Sequence, residues 1–154
     1  MKATLLILFF SLFVFTCISQ NNAMTFKQAE KNGIRISKLD SIYQSGLHSD
    51  STKAVFWGKQ DEFINAYQKT LQELGKYLKT NKFSWDKQTK CFNRIYFNKS
   101  GQIDYFLYNF SENEITLEKE KQFDALLNQF IKKYKFPMTA ETGFAQCSPV
   151  KYND

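Results

Sequence analysis

The spacing of apolar residues changes twice along this chain, and that change limits the possible folds more than any other feature of the sequence. Between residues 60 and 81 apolar side chains recur at steps of three and four, which predicts an amphipathic helix. Over residues 90–110 the step falls to two, and a polar turn containing Gly101 divides the run, so we expect a hairpin with strands 91–97 and 103–109. Helical spacing returns over 116–135, and a last strand is expected over 144–151.

These segments predict an α+β domain built on a three-stranded antiparallel-type sheet. The hairpin and the C-terminal strand would form the sheet, with the two long helices packed against it. Residues 25–47 begin with a capping-box pattern at Thr25 and Gln28 and continue with helical apolar spacing, so we expect a helical cap there. Pro149 cannot donate a backbone hydrogen bond, which favours an edge position or a strand end.

The first residues are typical of a secretory signal peptide. Lys2 precedes an apolar run from Leu5 to Phe15, and the small residue Ser19 follows it. We therefore expect a signal peptide over 1–19, with Gln20 as the new terminus and residues 20–154 as a single periplasmic or secreted domain. Two alternatives are lipid attachment at Cys17 and retention of the apolar run as a membrane anchor.

Cys91 and Cys147 are the two cysteines that would remain after removal of the signal peptide. An even number of cysteines in an exported chain favours a disulfide, so we predict a bridge between Cys91 and Cys147. The alternative is a pair of buried free thiols. A catalytic dithiol is not indicated, because the close C-x-x-C spacing is missing.

The formal net charge of the chain is +6, but its lysines are spread singly along nearly every segment. Nucleic-acid-binding proteins usually cluster Lys and Arg on one face or in one run. Dispersed lysines beside acidic residues are typical of solvated helix faces, so we predict no nucleic-acid partner.

No catalytic or metal-binding pattern is evident. The single histidine, His48, lies in a polar segment beside Asp50, and residues two apart in a loop rarely form the base and orienting acid of a hydrolase. One histidine and two cysteines do not make a usual zinc site. Glycine-rich phosphate-binding patterns are also missing. We therefore predict no catalytic residue, no metal and no cofactor, while an enzyme that uses His48 with Asp50 remains a third hypothesis.

The C-terminal half resembles the TonB C-terminal domain over about residues 91–152. The similarity lies in the hairpin from Ile95 to Ile103 and in the aromatic-and-proline helix exit from Tyr134 to Pro137. The resemblance implies a periplasmic domain of three strands on a helix that docks to outer-membrane transporters by strand addition. This chain has no proline-rich linker, which puts energy transduction in doubt. The run from Phe144 to Val150 also resembles a narrower group of exported bacterial proteins of unknown function.

The absence of catalytic patterns and the many aromatic residues favour a non-enzymatic domain that binds a protein or another component of the cell envelope. Binding would use an exposed sheet edge or an outer aromatic surface. The candidate binding residues are Tyr96, Phe106, Tyr108 and Phe144. One alternative is a carrier for a small apolar ligand between sheet and helices, with a pocket formed by Tyr67, Leu71, Tyr105, Phe123 and Phe130. Another is a membrane-tethered TonB-type partner of outer-membrane transporters.

Overall fold

The computed structural model of the protein describes residues 22–154, and the predicted signal peptide and Cys17 lie outside that range. Nine helices and strands follow one another along the described chain. In order they are β1 (Ala23–Thr25), α1 (Phe26–Lys31), α2 (Ile36–Ile42), β2 (Gln44–Ser45), α3 (Gln60–Thr80), β3 (Thr89–Phe97), β4 (Ile103–Phe110), α4 (Leu117–Lys133) and β5 (Phe144–Tyr152).

The sheet has five strands in the order β1-β4-β3-β5-β2. The central strand β3 pairs antiparallel with β4 and with β5, whereas β1 pairs parallel with β4 and β2 pairs parallel with β5. The α+β class is correct, but the predicted three-stranded antiparallel-type sheet is wrong: the sheet is mixed, and four helices accompany it. The prediction missed β1 and β2 because strands of three and two residues are too short to show a period of two.

Each face of the sheet is covered by a different pair of helices. The long helices α3 and α4 pack on one face, which we call the long-helix face, and its core includes Ile95, Phe97 and Phe106. The short helices α1 and α2 pack on the opposite, short-helix face, where Met24, Leu39, Tyr96 and Leu107 are buried. Residues 25–47 therefore do contain helices, but they also contribute β2 and the end of β1.

A side chain of α4 closes the outer edge of β1. The amide oxygen Oδ1 of Asn128 accepts a hydrogen bond from the backbone N–H of Ala23 at 3.0 Å, and its Nδ2 donates to the backbone oxygen of Ala23 at 2.8 Å. Asn128 is buried. One side chain therefore satisfies both backbone groups of Ala23, and it does so at an edge where a further strand would otherwise pair.

The two described cysteines lie on opposite faces of the sheet. Cys91 is paired with Val150 in the β3–β5 register, whereas Cys147 is paired with Arg94. An offset of three residues along a strand places two side chains on opposite faces. Cys91 is buried, Cys147 is exposed and both thiols are free. The predicted Cys91–Cys147 disulfide is therefore incompatible with this register.

Replacing Asn128 by alanine is expected to lower the free energy of unfolding by about 2 to 4 kcal/mol, because two buried backbone groups of β1 lose their partners. Urea unfolding monitored by tryptophan fluorescence would measure this change. Gln122→Ala serves as the control, since Gln122 is an exposed residue of the same helix. Equal losses in the two variants would contradict a specific role of Asn128 in closing the edge.

The two cysteines are expected to react with iodoacetamide to different extents. Burial raises the pKa of the Cys91 thiol to about 12, and only the thiolate is an effective nucleophile. We expect one modification, at Cys147, in native protein, and modification of Cys91 as well after denaturation. Peptide mass mapping without reductant would locate the adducts. Two thiols that react only after reduction would contradict the register described here.

Candidate functional site

The short helices are too short to cover the whole of their face of the sheet. Helix α1 has six residues and α2 has seven, so each is about 10 Å long at the helical rise per residue. Strand β3 has nine residues and runs for about 30 Å. The short helices cover Tyr96 and Leu107, but they leave the part of the face nearest the start of β3 open to solvent.

Polar contacts hold α2 in place over the covered part of the face. Asp40 of α2 forms an ion pair with Arg94 at 2.5 Å and accepts a hydrogen bond from the hydroxyl of Tyr96 at 3.0 Å. Tyr43, which follows α2, packs edge-on against Tyr96 with ring centroids 5.2 Å apart and donates to Asp104 at 2.7 Å. Burial raises the pKa of both tyrosines, so their hydroxyls stay protonated donors.

The uncovered part of the short-helix face forms a concave surface that we call the Phe92 groove. Its floor is a row of residues across three strands, because Phe92 of β3 is paired with Asn109 of β4 on one side and with Pro149 of β5 on the other. Phe26 and Ile36 stand at one side, with the rings of Phe26 and Phe92 6.1 Å apart. Two adjoining cavities of about 590 and 460 Å³ share Phe92 and Asn109.

Phe92 is unusual among the apolar residues of the sheet because 39% of it is exposed. Within the described residues, the other large apolar side chains that remain exposed belong to helices or loops, not to sheet strands: Ile42, Trp57, Ile64 and Leu117. An exposed aromatic side chain on the floor of a concave surface is typical of a binding site.

Most of the charges around the groove are positive. Lys27, Lys90 and Lys151 line the two cavities, with Glu30 as the acidic residue among the lining side chains. None of these three lysines forms an ion pair with another described residue. The groove therefore combines a partly apolar floor with a cationic rim.

Two other clefts are occupied by interactions within the protein itself. A cleft of about 370 Å³ between α3 and α4 is bordered by the Glu73–Lys76 ion pair, and of its aromatic residues Phe130 is almost fully buried while Tyr77 and Tyr134 are half-buried and hydrogen-bonded to Gln129 and Thr70. A cleft of about 490 Å³ beside Trp85 is crossed by the ion pair of Lys119 with Asp86. Neither cleft offers an open aromatic floor like that of the Phe92 groove.

The four aromatic residues predicted to bind a partner are all fully buried. Phe106, Tyr108 and Phe144 lie in the core of the long-helix face, and Tyr96 lies beneath the short helices. The sequence shows aromatics on both faces of the hairpin, but it does not show that both faces are covered at these positions. These side chains therefore build the core on either side of the sheet and present no surface to a partner.

The residues predicted to form an apolar carrier pocket do not surround one space. Tyr67, Leu71, Phe123 and Phe130 pack in the core of the long-helix face. Tyr105 packs in the core of the short-helix face, on the other side of the sheet. The sheet thus separates Tyr105 from the other four residues.

His48 and Asp50 form a local turn. The backbone N–H of Asp50 donates to Nδ1 of His48 at 2.9 Å, while the Asp50 carboxylate accepts from the backbone and hydroxyl of Thr52. The hydrogen bonds from Thr52 lower the pKa of Asp50. The carboxylate is thus directed at Thr52 and does not orient the imidazole, as a catalytic pair requires.

The open section of β5 has its own protection against pairing. β2 pairs with only Phe144 and Ala145. The carbonyl of Ala145 accepts a hydrogen bond from the N–H of Gly46 and so faces away from β3. Pro149 lies four residues later in the same strand and has the same orientation, so the missing N–H of Pro149 is on the open side of β5. Cys147, two residues earlier, has the same orientation, and its carbonyl accepts a hydrogen bond from Nε2 of Gln146 at 3.0 Å. The edge therefore lacks one donor and has one acceptor already engaged.

Phe92 was not singled out from the sequence as a site residue. The period of two in β3 does contain a usable signal, since Lys90, Phe92 and Arg94 alternate with buried residues and so share a face. The alternation alone does not reveal which part of that face the short helices leave open.

Within the described part of the chain, no group of three or more potential metal ligands comes together, and no helix is long and apolar enough to cross a membrane. Comparison of the chain with protein-family models, with curated proteins and with solved structures finds no match. The resemblance to the TonB C-terminal domain therefore stays a prediction, and the functional argument rests on the geometry of the groove.

Proposed function

We propose that this protein is an extracytoplasmic, non-enzymatic binding domain whose docking surface is the Phe92 groove. The observation that carries the proposal is the partly exposed aromatic ring of Phe92 on the floor of a concave surface, between Asn109 on one side and Pro149 on the other. What makes Phe92 informative is its place in a concave surface beside Phe26, Ile36 and Pro149, since apolar side chains grouped in a concavity are typical of binding sites.

Covering Phe92 would contribute a measurable part of the binding free energy of a partner. A phenylalanine side chain can bury on the order of 200 Å², so covering the exposed 39% of Phe92 would remove about 80 Å² from water. At about 25 cal/mol per Å² this contributes about 2 kcal/mol. Removing that contribution corresponds to a loss of affinity of about thirtyfold.

The groove is a better docking surface than the open edge of β5. Strand addition depends on a continuous row of free backbone donors and acceptors. Pro149 interrupts that row on β5, and the side chain of Gln146 occupies the carbonyl of Cys147. The groove presents the exposed ring of Phe92 beside Pro149, and both can be covered without any change in the strands around them.

Phe92→Ser is expected to reduce binding of a neutral apolar fluorophore, phenylnaphthylamine, by about thirtyfold relative to the unmodified protein. Ile64→Ser is the matched control, because Ile64 on α3 has the same exposed fraction, 39%, but lies outside the groove. Fluorescence titration of the purified, folded variants measures both affinities. Equal losses in the two variants would argue that the dye reports general surface hydrophobicity and that the groove is not a site.

The same variants give a test in the cell envelope. A photoreactive amino acid at position 109, on the groove floor, is expected to yield a discrete crosslinked partner, and Phe92→Ser should abolish that product. Ile64→Ser should leave the product unchanged. A crosslink that persists in Phe92→Ser would contradict docking at the groove.

A further inference from the structure

The cationic residues around the groove include a pair of lysines that face each other directly. Lys90 of β3 and Lys151 of β5 are paired in the antiparallel register, one row beyond Phe92 and Pro149. Both are exposed. Like charges at directly opposed positions of a sheet destabilise it. No described acidic side chain forms an ion pair with either lysine.

Four other basic residues of the described chain form ion pairs, whereas most of its lysines do not, so what distinguishes Lys90 and Lys151 is that they face each other directly. Lys53, Lys76, Arg94 and Lys119 each contact a carboxylate. On the far side of the groove, Lys27 of α1 adds a third unpaired cation, and Glu30 is the acidic residue among the side chains that line the two cavities. The carboxylate of Glu114 accepts a long hydrogen bond from the backbone N–H of Lys90 at 3.4 Å but forms no ion pair with its ammonium group. Three lysines and one glutamate therefore line the groove, which leaves it with an excess of positive charge.

We propose that the Phe92 groove binds an acidic segment of a protein partner, one that carries carboxylates beside an apolar side chain. This inference rests on the proposed docking function. The apolar side chain covers Phe92, and the carboxylates reach Lys90 and Lys151. Binding relieves the repulsion between the two lysines, so the partner's negative charge gains more here than beside an isolated lysine.

The spacing of the groove residues fits a polypeptide. Residues 90 and 92 lie two apart on β3 and share a face, so their side chains emerge about 7 Å apart. Side chains two apart in an extended peptide have the same separation. A bilayer is a poorer fit, because Phe26 and Ile36 stand beside the floor and make the surface concave.

The test uses two capped hexapeptides with a central phenylalanine–leucine pair. In one peptide four glutamates flank that pair, and in the other glutamine replaces every glutamate. We expect the acidic peptide to bind roughly tenfold more tightly at low salt and the difference to shrink as ionic strength rises. Isothermal titration calorimetry gives the affinities, and changes in the backbone amide chemical shifts of residues 90–92 and 150–151 locate the site.

The decisive variant is Lys90→Gln combined with Lys151→Gln. It is expected to remove the preference for the acidic peptide and to remain at least as stable as the unmodified protein, because the opposed charges are gone. Lys121→Gln combined with Lys132→Gln, two exposed residues of α4, lowers the net charge equally and should keep the preference.

Three results would overturn the inference. Equal affinities of the two peptides, both lost in Phe92→Ser, would mean that the docking surface exists without charge selection. Loss of the preference in both double variants would mean that net charge alone attracts the acidic peptide. Binding of phosphatidylglycerol vesicles but of neither peptide, lost in Lys90→Gln with Lys151→Gln, would identify a membrane as the occupant. Failure of the docking function itself is recognised separately, by unchanged binding of the neutral fluorophore in Phe92→Ser.

Discussion

A mismatch in length between the sheet and its covering helices determines the layout of this protein. Helices α3 and α4, with 21 and 17 residues, extend for about 25 to 30 Å and match the strands that they cover. Helices α1 and α2 are about a third of that length. The long-helix face is consequently closed, whereas the short-helix face is closed only over Tyr96 and Leu107. The Phe92 groove is the part of this face that stays open, and it is bordered by the first residues of α1 and α2, Phe26 and Ile36.

At the edges of the sheet, side chains prevent further strand pairing by occupying or removing backbone hydrogen-bonding groups. At one edge the amide of Asn128 satisfies both backbone groups of Ala23. At the other edge Pro149 removes a donor, and Gln146 occupies an acceptor. Both edges therefore offer few free backbone groups to a further strand. Natural sheets commonly avoid unwanted association by such devices.

Long periodic segments could be read from the sequence, whereas contacts between distant segments could not. The helices α3 and α4 and the strands β3, β4 and β5 lie within two residues of the predicted bounds, because each is long enough to repeat its period. Strands β1 and β2 exist through pairing with β4 and β5, and no local pattern encodes that pairing. The same limit explains why four buried aromatic residues were predicted to bind a partner. It also explains why the predicted disulfide is incompatible with the register of β3 and β5. Alternation shows which residues share a face, but the register between β3 and β5 decides which cysteine lies opposite which residue.

The attachment of β1 to α4 has a consequence for the order in which the protein assembles. Ala23 and Asn128 are separated by 105 positions in the chain, so β1 is synthesised long before its neighbours β4 and α4 exist. Closing so large a loop costs conformational entropy, which is recovered only when both neighbours are in place. The N-terminal strand is thus the first part of the domain to emerge and among the last to dock. A chain delivered across a membrane from its N-terminus would keep β1 unpaired for most of the passage, and docking of that strand would mark completion of the fold.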